Sequence, residues 1–140
     1  MGRGVRITVA RGARVIVEDG CRLGERCRIE AGGGTVRIGP GARIGERAIL
    51  VAAAGIEIGA RADVGDWAVI ADAEPTWAER PVPIRVGDGA RIGLHAAILA
   101  GAEIARGEVV APYATRTGGE TPGGPQTRGD QETRAPRRSA

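Results

Sequence analysis

A chain of 140 residues accommodates one domain, and a chain with no Phe and only Trp67, Trp77 and Tyr113 as aromatics has no means of filling an ordinary globular core. The basic residues are all Arg, and over residues 1–116 there are 16 of them, interspersed with 14 Asp and Glu. That mixture excludes the basic stripe of a nucleic-acid-binding protein, the longest apolar run (residues 48–56) is far too short to span a bilayer, and the N-terminus has no apolar signal core, so a soluble cytoplasmic protein is expected.

Val, Ile, Leu and Ala stand as single positions between Gly and Arg, not at the i, i+3, i+4 spacing of a helix, and they recur every six residues. In chain order the units are VEDGCR from Val17, LGERCR from Leu23 and one from Ile29; IGPGAR from Ile38, IGERAI from Ile44 and one from Leu50; IGARAD from Ile58, VGDWAV from Val64 and one from Ile70. VGDGAR from Val86, IGLHAA from Ile92, ILAGAE from Ile98, IARGEV from Ile104 and VAPYAT from Val110 close the series. Strands alternate with period two and helices with 3.6, so a period of six reads as a short strand plus a turn repeated around a prism. Three units make a coil, and successive coils begin 21, 20, 28 and 18 residues apart. Every extra residue falls in a coil's third unit and must emerge at one edge. Stacked coils would set like aliphatics in ladders inside a lumen too narrow for Phe. VARGAR from Val9 extends the pattern back as a partial coil. After Arg116 the chain loses Val, Ile, Leu and aromatic residues entirely, so residues 117–140 are expected to be a disordered tail beyond a domain over 1–116.

On these units the chain resembles the hexapeptide-repeat family, whose pattern is an aliphatic residue, Gly, two free positions and a small residue. The resemblance covers about residues 17–115 and implies an all-β fold, a left-handed parallel β-helix of about five coils. Within that family the stretch from Ile70 to Arg116 is similar to the sugar and xenobiotic O-acetyltransferases. The similarity rests on IADAEPTWAERPVP, on VGDGARIGLHAAILAGAEIARGEVV and on the closing YATRT. It implies a homotrimer with sites between neighbouring prisms, acetyl-CoA or another acyl-CoA as co-substrate, and a sugar or small-molecule acceptor.

In such enzymes a loop His removes the acceptor's proton and fixed donors hold the developing oxyanion. Here the loop reads Asp72, Ala73, Glu74, Pro75, Thr76, Trp77, with Pro75 where the His is expected. The candidate bases are therefore His95, the only His of the chain, and Glu74 or Asp72. Thr115 and Arg116 resemble the Thr and basic residue that lie beside CoA, where a guanidinium would grip a phosphate bidentately. Trp77 and Arg80 are the candidate acceptor contacts. A non-catalytic trimerisation or binding prism is the alternative that the missing loop His favours. Cys21 and Cys27 fill the small-residue slot of adjacent units, so neither a disulfide nor a zinc site follows, and one His cannot supply a three-His metal site. No metal is expected.

Overall fold

The computed structural model describes residues 2–72 and 81–118. Their regular elements are all β-strands of two to four residues, stacked in three parallel sheets. The first sheet contains β1 (Arg6–Val9), β4 (Arg28–Ala31), β7 (Ile49–Ala52), β10 (Val69–Ala71), β13 (Ala97–Ile98) and β16 (Thr115–Arg116). The second contains β2 (Arg14–Val17), β5 (Thr35–Ile38), β8 (Gly55–Ile58), β11 (Ile84–Val86) and β14 (Glu103–Ile104). The third contains β3 (Arg22–Leu23), β6 (Arg43–Ile44), β9 (Asp63–Val64), β12 (Arg91–Ile92) and β15 (Val109–Val110). The chain visits the second, third and first sheets in turn, a parallel β-solenoid whose second and third sheets count five coils.

The period of six produces this shape because each unit buries one aliphatic residue and then turns. Val17, Ile38, Ile58, Val86 and Ile104 pair as one ladder. Leu23, Ile44, Val64, Ile92 and Val110 form the second. Ile29, Leu50, Ile70 and Ile98 form the third. From Leu23 onward these side chains are buried, and each such burial stabilises the fold by about 1.5–3 kcal/mol. The Gly after the aliphatic lets the next coil approach: a Cβ on Gly45 would lie 2.6 Å from the Asp66 nitrogen of the coil above. Small residues at the fifth place, Cys27, Ala48, Ala68 and Ala96, fill the corners of the lumen.

The register matches the hexad reading at every full coil. The partial coil differs: it begins at β1, where Ile7 stands over Ile29 and Val9 over Ala31, so Val9 closes a four-residue strand rather than opening a unit. Long strands carry two inward positions, and the hexad rule counts only one of them. The insertions lie together at the edge between the first and second sheets, in the segments after β4, β7 and β10. At Gly34, with φ of 63°, a Cβ would overlap the Ala54 carbonyl oxygen, so the first insertion accepts only Gly there. The tail expected beyond Arg116 lies, from residue 119, outside the described residues. No helix among the described residues is long and apolar enough to cross a membrane.

Both cysteines are free. Burial pushes the Cys27 thiol upward, and the thiolate is the reactive form, so Cys27 is expected to resist iodoacetamide at neutral pH until the protein is unfolded in urea. Mass spectrometry of the alkylated peptide, with and without urea, checks this.

Candidate active site

The fourth residue of each unit between the third and first sheets sits at the corner in the left-handed conformation. Arg26, Arg47, Trp67, His95 and Tyr113 occupy it in five successive coils, with φ of 58°, 58°, 64°, 60° and 65°. At the corner between the second and third sheets the same conformation is taken mostly by Gly20, Gly41, Gly89 and Gly107. A non-glycine residue pays about 1–2 kcal/mol for that backbone. Large planar groups held there at such a cost point to use of the side chains rather than of the turn.

Backbone bonds lock these corners into a column. The N–H of Trp67 donates to the Glu46 carbonyl at 2.9 Å, that of His95 to Asp66 at 3.0 Å and that of Tyr113 to Leu94 at 2.9 Å. Stacking follows from that registration. The His95 ring lies 5.6 Å from Trp67 at 11° and 5.1 Å from Tyr113 at 8°, and the Arg47 guanidinium sits 5.1 Å above the Trp67 ring. Each aromatic pair contributes about 0.5–1.5 kcal/mol, which offsets part of the backbone cost. Both faces of His95 are covered while the residue remains exposed, so its ring edge, which carries the two nitrogens, is the part left for chemistry. Among the described residues no hydrogen bond or ion pair engages those nitrogens.

Asp72, expected as a candidate base, is instead a structural acceptor. It is fully buried; Oδ1 accepts the Ala53 N–H at 2.6 Å, and Oδ2 accepts those of Ala54 at 2.8 Å and Gly55 at 2.6 Å. Its carbonyl accepts the Val82 N–H at 3.0 Å, closing the base of the long insertion. A fully buried carboxylate that holds three backbone donors is placed to support the insertion edge, out of reach of an acceptor hydroxyl in solvent. It also stands at the far end of β10 from Trp67, on the order of 15 Å from the column by strand rise. Glu74, Trp77 and Arg80 lie outside the described residues.

Arg116, expected beside a CoA phosphate, points inward. In the first sheet it pairs in register with Ile98, the inward slot of the Ile29, Leu50, Ile70 ladder, so its side chain enters the lumen and is only 8% exposed. There Nη1 meets Glu108 Oε2 at 2.5 Å. Glu108 stands in the small-residue slot that Cys21, Ala42, Ala62 and Ala90 fill in earlier coils, and its other oxygen accepts the Ala105 N–H at 2.8 Å. The pair caps the last coil with charge, and a guanidinium so placed does not face a CoA phosphate. Arg116→Ala leaves Glu108 half-buried without this partner and is expected to lower stability by about 3 kcal/mol in urea unfolding. Thr115, its neighbour, is exposed at the end of the outward ladder, two residues beyond Tyr113.

A groove of about 770 Å³ runs along the second sheet, bounded by Val82, Pro83 and the outward ladder Arg37, Glu57, Arg85, Glu103. Its charges alternate and pair: Arg85 Nε reaches Glu57 at 3.4 Å, and Arg37 Nη2 reaches Glu18 at 3.1 Å, which raises the Arg37 pKa. Among the described residues no cluster of His, Cys, Asp and Glu could hold a metal. Reading the repeat down its columns would have brought Trp67, His95 and Tyr113 together, since all three hold the fourth place of the same unit.

No family profile matches the chain, and no curated protein matches it. Among solved structures the chain is similar to PerB from Caulobacter crescentus, in complex with CoA and GDP-perosamine, at 23% identity over 80% of this chain and 49% of that one, with a TM-score of 0.36. It is also similar to a Bacillus cereus protein described as a candidate acetyltransferase, at 14% identity over 80% of this chain and 77% of that one, with a TM-score of 0.27. The chain thus spans about half the length of PerB.

Proposed function

We propose that the chain is a CoA-dependent acyltransferase that moves an acyl group, most simply acetyl, from an acyl-CoA thioester to a hydroxyl or amine of a sugar or small molecule. The observation that carries this reading is the exposed edge of His95, clamped between Trp67 and Tyr113 on a solenoid whose repeat resembles hexapeptide acyltransferases. A ring nitrogen of His95 takes the acceptor proton as the acceptor oxygen or nitrogen attacks the thioester carbonyl. The tetrahedral adduct then collapses, the carbon–sulfur bond breaks, and the proton passes from the imidazolium to the departing thiolate, which restores His95.

Within one prism the His95 corner and the groove on the second sheet lie on different sides, and both are needed if the acceptor lies in the groove. A homotrimer in which the corner of one prism faces the groove of the next supplies both, with Trp77 and Arg80 of the long insertion as acceptor contacts. Thr115, exposed beside the column, is the residue retained as a contact for the co-substrate. Light scattering tests the assembly: a mass about three times 14.4 kDa supports it, and a monomer removes the shared site. Free thiol released from acetyl-CoA in the presence of sugar and amine acceptors tests the chemistry. Acceptor-dependent release supports transfer; release that no acceptor changes contradicts it.

A further inference from the structure

We propose a second binding site, at the N-terminal end of the solenoid, that takes the phosphate chain of a polyphosphate-bearing small molecule. A groove of about 450 Å³ there is lined by Arg6, Arg26, Arg28 and Arg47, with Gly4, Ile49 and Trp67 completing the wall. Four arginines line one concavity, and among the described residues the only carboxylate paired with any of them is Glu30, 3.3 Å from Arg28 Nε. Among the described residues Arg6, Arg26 and Arg47 have no ion-pair partner. By contrast Arg37, Arg43 and Arg85 each reach an acid on a neighbouring coil. Other arginines among the described residues are unpaired too, and what sets this group apart is that four of them line one groove.

The grouping is imposed by the fold. Arg6 and Arg28 are partners in register on the outward face of the first sheet, so like charges stand directly opposite, a destabilising arrangement that a bound anion would relieve. Arg26 and Arg47 occupy consecutive places in the corner column, both in the left-handed conformation. Gly4 leaves room for the first of them, since a Cβ there would come within 3.1 Å of Arg26 Cγ. Trp67 carries Arg47 on one face and His95 on the other, so its ring has no free face for a nucleobase and acts to orient Arg47. The groove therefore recognises the anionic part of its ligand.

Coils repeat at about 4.8 Å, so guanidiniums on neighbouring coils are too far apart for one phosphate to engage all four, whereas two or three linked phosphates can bridge them with charge-assisted bonds. The patch covers the two or three N-terminal coils only, a length suited to a small molecule and too short for an extended nucleic-acid strand. The groove is separated from His95 by the Trp67 ring, and its recognition of phosphate does not depend on the acyltransferase reading.

Calorimetric titration of the full chain with inorganic tripolyphosphate is the test, beside an Arg26→Asn/Arg47→Asn variant. Asn tolerates the left-handed backbone, so the corners are kept while the charges go. Arg61→Asn is the control, with the same φ of 58° and the loss of one positive charge at a different corner, against two in the double variant. Saturable binding that falls about tenfold or more in the double variant and is unchanged in Arg61→Asn is the expected result. No binding by the wild-type chain, equal loss in the control, or binding only of long single-stranded oligonucleotides overturns the proposal. Acetyl-CoA titrated against the same double variant identifies the source of the phosphates: unchanged affinity points to another polyphosphate, and a parallel loss makes this groove the co-substrate's own phosphate site.

Discussion

Replacing Asp72 by Ala is expected to lower the unfolding free energy by about 3–5 kcal/mol, a large share of the 5–15 kcal/mol typical of a domain. The reason is a count of donors. The carboxylate satisfies the N–H groups of Ala53, Ala54 and Gly55 from a fully buried position, and a methyl group satisfies none of them. Each orphaned donor costs about 1–3 kcal/mol, reduced where water can enter at the edge. Asp72→Asn is expected to fall between, because its single carbonyl oxygen can keep the two donors that Oδ2 holds while its amide faces Ala53. Urea midpoints for the three proteins check the order, and equal stability of all three would remove the structural role.

His95→Asn is expected to lower acyl transfer by about a hundredfold or more, the usual contribution of a positioned general base, in a protein that still folds but melts several degrees lower. Asn accepts the left-handed φ of 60° at that corner, so the turn survives while the proton acceptor is lost. The substitution also opens the stack between Trp67 and Tyr113, which removes two aromatic contacts of about 0.5–1.5 kcal/mol each and offers a measure of the column's own worth. A fall in turnover with the acetyl-CoA affinity retained identifies a base; a parallel loss of affinity assigns the residue to binding.

The fold was legible because the repeat is periodic and its constraint is steric. Each hexad buries its leading aliphatic, Gly45 and its equivalents admit the backbone of the next coil, and the absence of Phe follows from the width of the lumen. The site was less legible because its meaning runs across coils. His95 read alone is a corner residue, and only the positions 28 residues before it and 18 after it, Trp67 and Tyr113, make it a clamped ring. Arg116 shows the same conflict between local motif and column. Next to Thr115 it looks like a phosphate contact, whereas its column places it in the lumen opposite Glu108, both of them charges in slots that are apolar below. Asp72 resembles a loop carboxylate until the insertion edges are stacked and its three donors come from the coil beneath. Local motif and vertical register compete in a solenoid, and register decides where a side chain points.

Calorimetric titration of the wild-type chain with acetyl-CoA tests the acyltransferase account most directly, since it requires no knowledge of the acceptor. The account predicts saturable binding, accompanied by a rise in melting temperature that grows with ligand concentration. A folded solenoid that gives no saturable heat and no shift with acetyl-CoA or a longer acyl-CoA would contradict it, and would leave the prism as a binding or trimerisation module.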